Sequence, residues 1–108
     1  MKTNRLEHLN ILLAKHLSAI LAKLNDKKVG FVCLNELSVS PDLQNATVYV
    51  SFLGAEQPEI NLAALNSAGG HIRSELAQVM STYRVPRLKF IIDDLFDKAQ
   101  DIDNRIKS

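Results

Sequence analysis

Apolar residues return every three or four positions through the first quarter of the chain, at Leu6, Leu9, Leu13, Leu17, Ile20 and Leu24. That interval is the period of a helix with one buried face. Arg5, His8, Lys15 and Lys23 lie mostly away from the stripe. Asn4, followed three residues later by Glu7, has the spacing of a capping box and predicts the helix start. The run NDKKVG over 25–30 ends it. From Phe31 the period changes to two. Phe31, Cys33, Leu37 and Val39 share one parity in FVCLNELSVS, and Ala46, Val48, Val50 and Phe52 alternate with Thr47, Tyr49 and Ser51 in ATVYVSFL. Pro41, Asp42 and Asn45 supply turn chemistry between these runs, so the two strands form a hairpin.

The second half is helical, then extended. Pro58 and Glu59 suit the first turn of a helix that runs on over 60–66, because proline loses no hydrogen bond there and a carboxylate meets the positive dipole end. Ile72, Leu76, Val79 and Met80 give helical spacing over 71–82, until Pro86 stops it. Leu88, Phe90 and Ile92 mark a third strand, and Ala99, Ile102 and Ile106 a weakly helical tail. The order is α-β-β-α-α-β with a short final helix, an α+β arrangement. A two-helix crossover returns the third strand parallel to the second, with both helices on one sheet face. The other face carries Thr47, Tyr49 and Ser51. One domain spans 1–108, with its core at about 4–95 and a C-terminal segment over 96–108.

Gly69 and Gly70 interrupt a good helical pattern, LNSAGGHIRSELA, although each glycine in a helix interior costs about 0.5–1 kcal/mol relative to alanine. Two explanations compete. The glycines let two helices meet sharply and pack closely, or they expose free N–H groups at the start of the next helix, beside His71 and Arg73, where a phosphate binds. The first is favoured. It implies that replacing both by alanine destabilises the domain if either needs positive φ.

Composition narrows the field. The chain has 108 residues, of which 46% are hydrophobic, enough for one modest core without metals. Cys33 is the one cysteine, so no internal disulfide forms, and its place on the inward parity predicts a buried, inert thiol. Without a signal peptide or an apolar run near 18 residues, a cytoplasmic protein is expected. The net charge of +1 conceals polarity along the chain: residues 1–28 carry six Lys/Arg against two acids (+4), 29–70 four acids (−4), 71–90 four against one (+3) and 91–108 three against five (−2). Two basic segments can therefore merge in space.

Candidate chemistry is sparse. The sequence contains no nucleophile elbow, phosphate loop, HExxH or paired CxxC. His8 and His16 are roughly 80° out of register on a helix and make a poor metal pair. His71, Arg73 and Ser74 resemble a small hydrolase site only loosely, with no carboxylate fixed by spacing. Asp93, Asp94, Asp97, Asp101 and Asp103 lack a calcium-loop pattern and read as a solvated acidic helix. The expectation is a protein that is not an enzyme, without cofactor, metal or small-molecule substrate. YRVPRLKF is more informative: Arg84, Arg87 and Lys89 flank a stiffening proline and suit phosphates, and Tyr83 offers a stacking face for an unpaired base.

Three segments in register, LSVSPDLQNATVYVSFLG, ALNSAGGHIRSELA and YRVPRLKFIIDD, resemble the ribosome-binding factor A family over roughly 5–106. The resemblance implies a type II KH-like domain in which an Ala68-Gly69-Gly70 helix–kink–helix joint replaces the GxxG loop of KH proteins. It implies a monomeric bacterial assembly factor that binds the free small (30S) subunit and its rRNA. Such a factor assists late maturation, including processing of the 16S rRNA 5′ end, above all in the cold. By the same resemblance Arg73, Arg84, Arg87 and Lys89, joined by Arg5, Lys27 and Lys28, are the candidate phosphate contacts, with charge setting orientation and rRNA shape setting specificity; Tyr83, as a stacking face, completes the candidate RNA-binding set. Where the family commonly has Asp-Pro-Arg, this chain has Asp26-Lys27-Lys28, keeping the charge without the rigid ring. The alternative function is an adaptor that pairs through its sheet edge with another protein.

Overall fold

A computed structural model of the chain describes residues 5–24, 26–81 and 83–93. The expected Asn4 cap and the tail helix over 96–106 lie outside them. Helix α1 (Arg5–Lys23) buries Leu9, Leu13, Leu17 and Leu21, a strict four-residue row. Leu6, Leu12, Ile20 and Leu24 pack along its margins. The chain then turns tightly. The Asp26 carbonyl accepts from the Val29 and Gly30 amides at 3.1 and 3.0 Å, and its carboxylate accepts from the Lys28 amide at 2.8 Å. That carboxylate fixes the Lys27–Lys28 turn without a proline ring. Gly30 has φ +72°, a conformation open to glycine at little cost. A Cβ there would lie 3.1 Å from Asn61 Nδ2, and that amide donates to the Lys28 and Val29 carbonyls at 3.2 and 3.0 Å.

Strand β1 (Val32–Val39) and strand β2 (Asn45–Phe52) pair antiparallel, as the alternation predicts. Strand β1 nevertheless departs from a single parity. Leu34 pairs with Val50 but Glu36 with Tyr49, so Asn35 is an extra residue, a β-bulge. Leu37 and Val39 face the core as expected. Upstream of the bulge the inward residues are instead Val32 and Leu34. Phe31 is 79% exposed and Cys33 is exposed; the expectation that both face inward, and that Cys33 is buried, is therefore wrong. In the hairpin turn Leu43 adopts φ +62°. The Ser40 hydroxyl donates to Asp42 Oδ1 at 2.5 Å and accepts from the Asn45 amide at 3.1 Å.

Helix α2 (Pro58–Ser67) begins on its proline, and helix α3 (Gly69–Val79) follows after Ala68 alone. Ala68, at φ −83° and ψ 0°, donates to the Ala64 and Leu65 carbonyls at 3.1 Å each and accepts from the Ile72 amide at 3.0 Å. The joint falls where the sequence places it. The reason given for its glycines does not hold: positive φ among glycines occurs at Gly30 and Gly54, and a Cβ on Gly69 or Gly70 would meet nothing within 4 Å. Helix α3 also starts before His71, at Gly69, and ends at Val79, ahead of the expected 82.

Strand β3 (Arg87–Ile92) runs parallel to β2, pairing Ala46 with Leu88 and Val48 with Phe90, in the order β1-β2-β3. The core lies between this sheet and the helices, around Leu13, Leu17, Val48, Val50, Leu65, Ile72, Leu76 and Phe90. Asparagine side chains from the helices occupy both sheet edges. Asn10 Oδ1 accepts from the Val39 amide at 3.1 Å. Asn66 accepts from the Phe90 amide at 3.3 Å and donates to its carbonyl at 3.4 Å. On the open face Thr47, Tyr49 and Ser51 of β2 stand beside exposed Arg87 and Lys89 of β3.

Candidate nucleic-acid interface

The packing of α3 and the segment after it against α1 decides how the cationic residues group. His71 and Glu75 of α3 share a surface with Ile20, Lys23 and Leu24 at the end of α1. Tyr83, just beyond α3, instead meets the start of α1, its ring 5.8 Å from that of His8 at 50°. Arg5 and Arg84 then line one groove of about 260 Å³ together with Leu9, Asp42, Leu43, Gln44 and Tyr83. A second, shallower groove joins Gly70, Arg73, Ser74, Tyr83 and Arg84. Arg5, Arg73, Tyr83 and Arg84 are thus brought to one end of the molecule. Arg87 follows directly, its amide bonded to the Gln44 carbonyl at 2.8 Å, and with Lys89 it extends the positive surface onto the open sheet face.

The remaining two candidates are elsewhere. Lys27 and Lys28 follow the far end of α1, which at about 1.5 Å per residue puts roughly 27 Å of helix between them and Arg5. The two basic segments merge at one end only. Arg73 has an added structural duty, since its Nη2 donates to the Val85 carbonyl at 3.2 Å and tethers the α3–β3 connection. Four of the five guanidinium N–H groups remain for other acceptors.

His71 belongs to neither basic groove with Arg84. Its Nε2 is 3.3 Å from Glu75 Oε1, an exposed pair one helical turn apart. An acid beside the start of α3 opposes an anion there, and an exposed pair of this kind contributes little to stability. Among the described residues no group of three His, Cys, Asp or Glu side chains is placed to hold a metal ion. No helix of these residues is long and apolar enough to cross a membrane.

Asp42, Leu43 and Gln44 are site residues that sequence reasoning missed. Their pattern announces only a turn; what carries them to Tyr83 and Arg84 is the parallel β2–β3 pairing, a contact between residues 43 positions apart in Gln44 and Arg87. Hydrogen bonds from the Ser40 hydroxyl and the Gln44 amide hold the Asp42 carboxyl below its ordinary pKa, so it is ionised at neutral pH.

This architecture, three helices on one face of a three-stranded mixed sheet with cations gathered around one end, is that of a KH-like binding module. The family model for ribosome-binding factor A matches residues 5–106, and the chain belongs to that family of non-enzymatic ribosome-binding factors. It is 33% identical over 104 residues to ribosome-binding factor A of Thermodesulfovibrio yellowstonii, covering 95% of this chain and 88% of that protein. The crystal structure of ribosome-binding factor A from Thermus thermophilus superposes with a TM-score of 0.71 at 28% identity, over 81% of this chain and 93% of that one. A homology model of the Thermus thermophilus protein, fitted into a cryo-EM map of a 30S–RbfA complex, aligns with a TM-score of 0.68 at 26% identity, over 82% and 94% of the two chains.

Proposed function

We propose that this protein is a cytoplasmic assembly factor that binds the free 30S subunit and assists its late maturation, including 16S rRNA 5′-end processing, with the greatest demand in the cold. The observation that carries the reading is the gathering of Arg5, Arg73, Tyr83 and Arg84 at one end, continued by Arg87 and Lys89 on the sheet. Family membership and the Thermus thermophilus protein fitted in a 30S–RbfA complex support it. Guanidinium and ammonium groups neutralise phosphates, and a monomer docks by their spacing rather than by reading bases along a helix. The adaptor reading is weaker, because Asn10 and Asn66 occupy backbone groups on the outer edges of β1 and β3 where a partner strand would pair.

Co-sedimentation with isolated 30S subunits, 50S subunits and 70S ribosomes at low and moderate salt tests the proposal. Selective recovery with free 30S is expected, declining as salt rises. Arg84→Glu, Arg87→Glu and Lys89→Glu combined should abolish recovery without lowering the melting temperature, since all three side chains are exposed. Undiminished recovery of that variant refutes this interface, and equal recovery with all three particles refutes 30S selectivity.

A further inference from the structure

The groove between the hairpin turn and the start of α1 has a composition that phosphate binding alone does not require. Its floor is apolar, from buried Leu9 and half-buried Leu43. Tyr83 supplies an aromatic wall braced by the His8 ring, and Arg5 and Arg84 supply two guanidiniums. Asp42 places an anion among them. The carboxylate shapes the hairpin turn and also stands on the groove wall, where it repels phosphate and favours a hydrogen-bond donor.

Asp42 is also fixed. Its Oδ1 accepts from the Ser40 hydroxyl at 2.5 Å and from the Gln44 amide at 3.1 Å. An ionised carboxylate has about four acceptor sites, two on each oxygen, and both of these bonds fall on Oδ1, leaving Oδ2 to face other donors. The next residue, Leu43, holds φ +62°, a conformation that costs a non-glycine residue about 1–2 kcal/mol. A leucine held there by packing against the core gives the turn one shape and keeps the carboxylate on the groove wall.

We propose that this groove takes a single unpaired guanosine nucleotide of an RNA strand. Among the four bases, guanine alone presents two adjacent N–H donors, N1–H and the 2-amino group, on its Watson–Crick edge. Adenine and cytosine each place an acceptor beside their amino group, and uracil has one N–H between two carbonyls. Asp42 Oδ2, which takes part in neither of those bonds, accepts from N1–H and the 2-amino group together, and no other base presents two adjacent donors to it. The ring stacks on Tyr83, and Arg5 and Arg84 take the flanking phosphates, the mode in which single-stranded RNA is read by proteins. At about 260 Å³ the groove lies below the roughly 300–1,000 Å³ of sites for drug-sized ligands, a fit for one nucleotide.

The inference rests on the RNA-binding reading above but fails separately from it. The probes are fluorescein-labelled uridine heptamers carrying one central guanosine, inosine, adenosine or uridine, titrated with the full chain at fixed low salt. The guanosine strand is expected to bind about tenfold tighter than the inosine strand, which lacks the 2-amino group, in keeping with the discrimination of a bidentate base contact. Asp42→Asn should remove that preference while retaining the affinity for plain uridine strands. Arg84→Gln should weaken all four strands and preserve the order. Equal affinity for guanosine and inosine strands, no strand binding at all, or an unchanged preference in Asp42→Asn overturns the proposal. If the parent nevertheless co-sediments with 30S, the guanosine site alone is lost; absence of both removes the RNA-binding reading too.

Discussion

Replacing Gly69 and Gly70 together by alanine asks whether the joint between α2 and α3 needs glycine for its own folding. Both occupy the first turn of α3 with negative φ, and a Cβ on either meets nothing within 4 Å. Alanine at a compatible glycine position stabilises by about 0.4–1 kcal/mol, chiefly by restricting the unfolded chain. Gly69 and Gly70 are at the helix start, where propensity weighs less than in the interior, so the lower end of the range applies. Two substitutions then give about 1 kcal/mol, a rise of about 4–8 °C in the melting temperature of a domain near this size. The assay is a thermal melt followed by circular dichroism, with a urea titration to confirm an unchanged m-value. A fall in melting temperature refutes the reasoning and restores the view that the joint itself requires glycine. A rise, coupled to weaker recovery with 30S subunits, assigns the glycines to the approach of a partner, since Gly70 borders the groove that Arg73 and Arg84 line.

Gly30 should behave in the opposite way. Gly30→Ala forces a side chain into φ +72° and against Asn61 Nδ2 at 3.1 Å, which predicts a loss of about 1–2 kcal/mol in the same melt. Cys33, exposed on β1, should react with Ellman's reagent in the folded protein to one thiol per chain without denaturant; protection lifted only by urea would refute the bulged register.

The helices were legible because their apolar positions repeat without interruption over several turns. The stripe from Leu6 to Leu24 and the spacing of Ile72 and Leu76 needed no partner to be recognised. Strand β1 was legible in outline and misread in phase. One extra residue, Asn35, leaves composition unchanged yet reverses which side chains upstream face the core, and alternation carries no mark of where it slips. The glycines were misread for another reason: sequence shows that a residue is flexible and not whether the fold uses that flexibility. At the candidate site, Tyr83, Arg84, Arg87 and Lys89 could be picked out as one short basic run. Their company could not. Arg5 arrives because Tyr83 packs against the start of α1, and Asp42 through the pairing of β2 with β3. Lys27 and Lys28 are excluded from that end by the length of α1, a fact their charge does not disclose.

That length makes the domain a calliper. Helix α1 is a stiff rod with Arg5 at one tip and the Lys27–Lys28 turn beyond the other, locked by Asp26 at 2.8 Å. If both tips contact phosphate, as the family resemblance implies, a partner presenting phosphates at each would be held twice. The second contact would be intramolecular once the first is made, so the two affinities would multiply through an effective concentration. A partner lacking the roughly 27 Å span would be held at one tip only and released sooner. On that reading, selection between an assembled rRNA surface and loose RNA would be a measurement of distance, made by nineteen residues of helix that need touch no base.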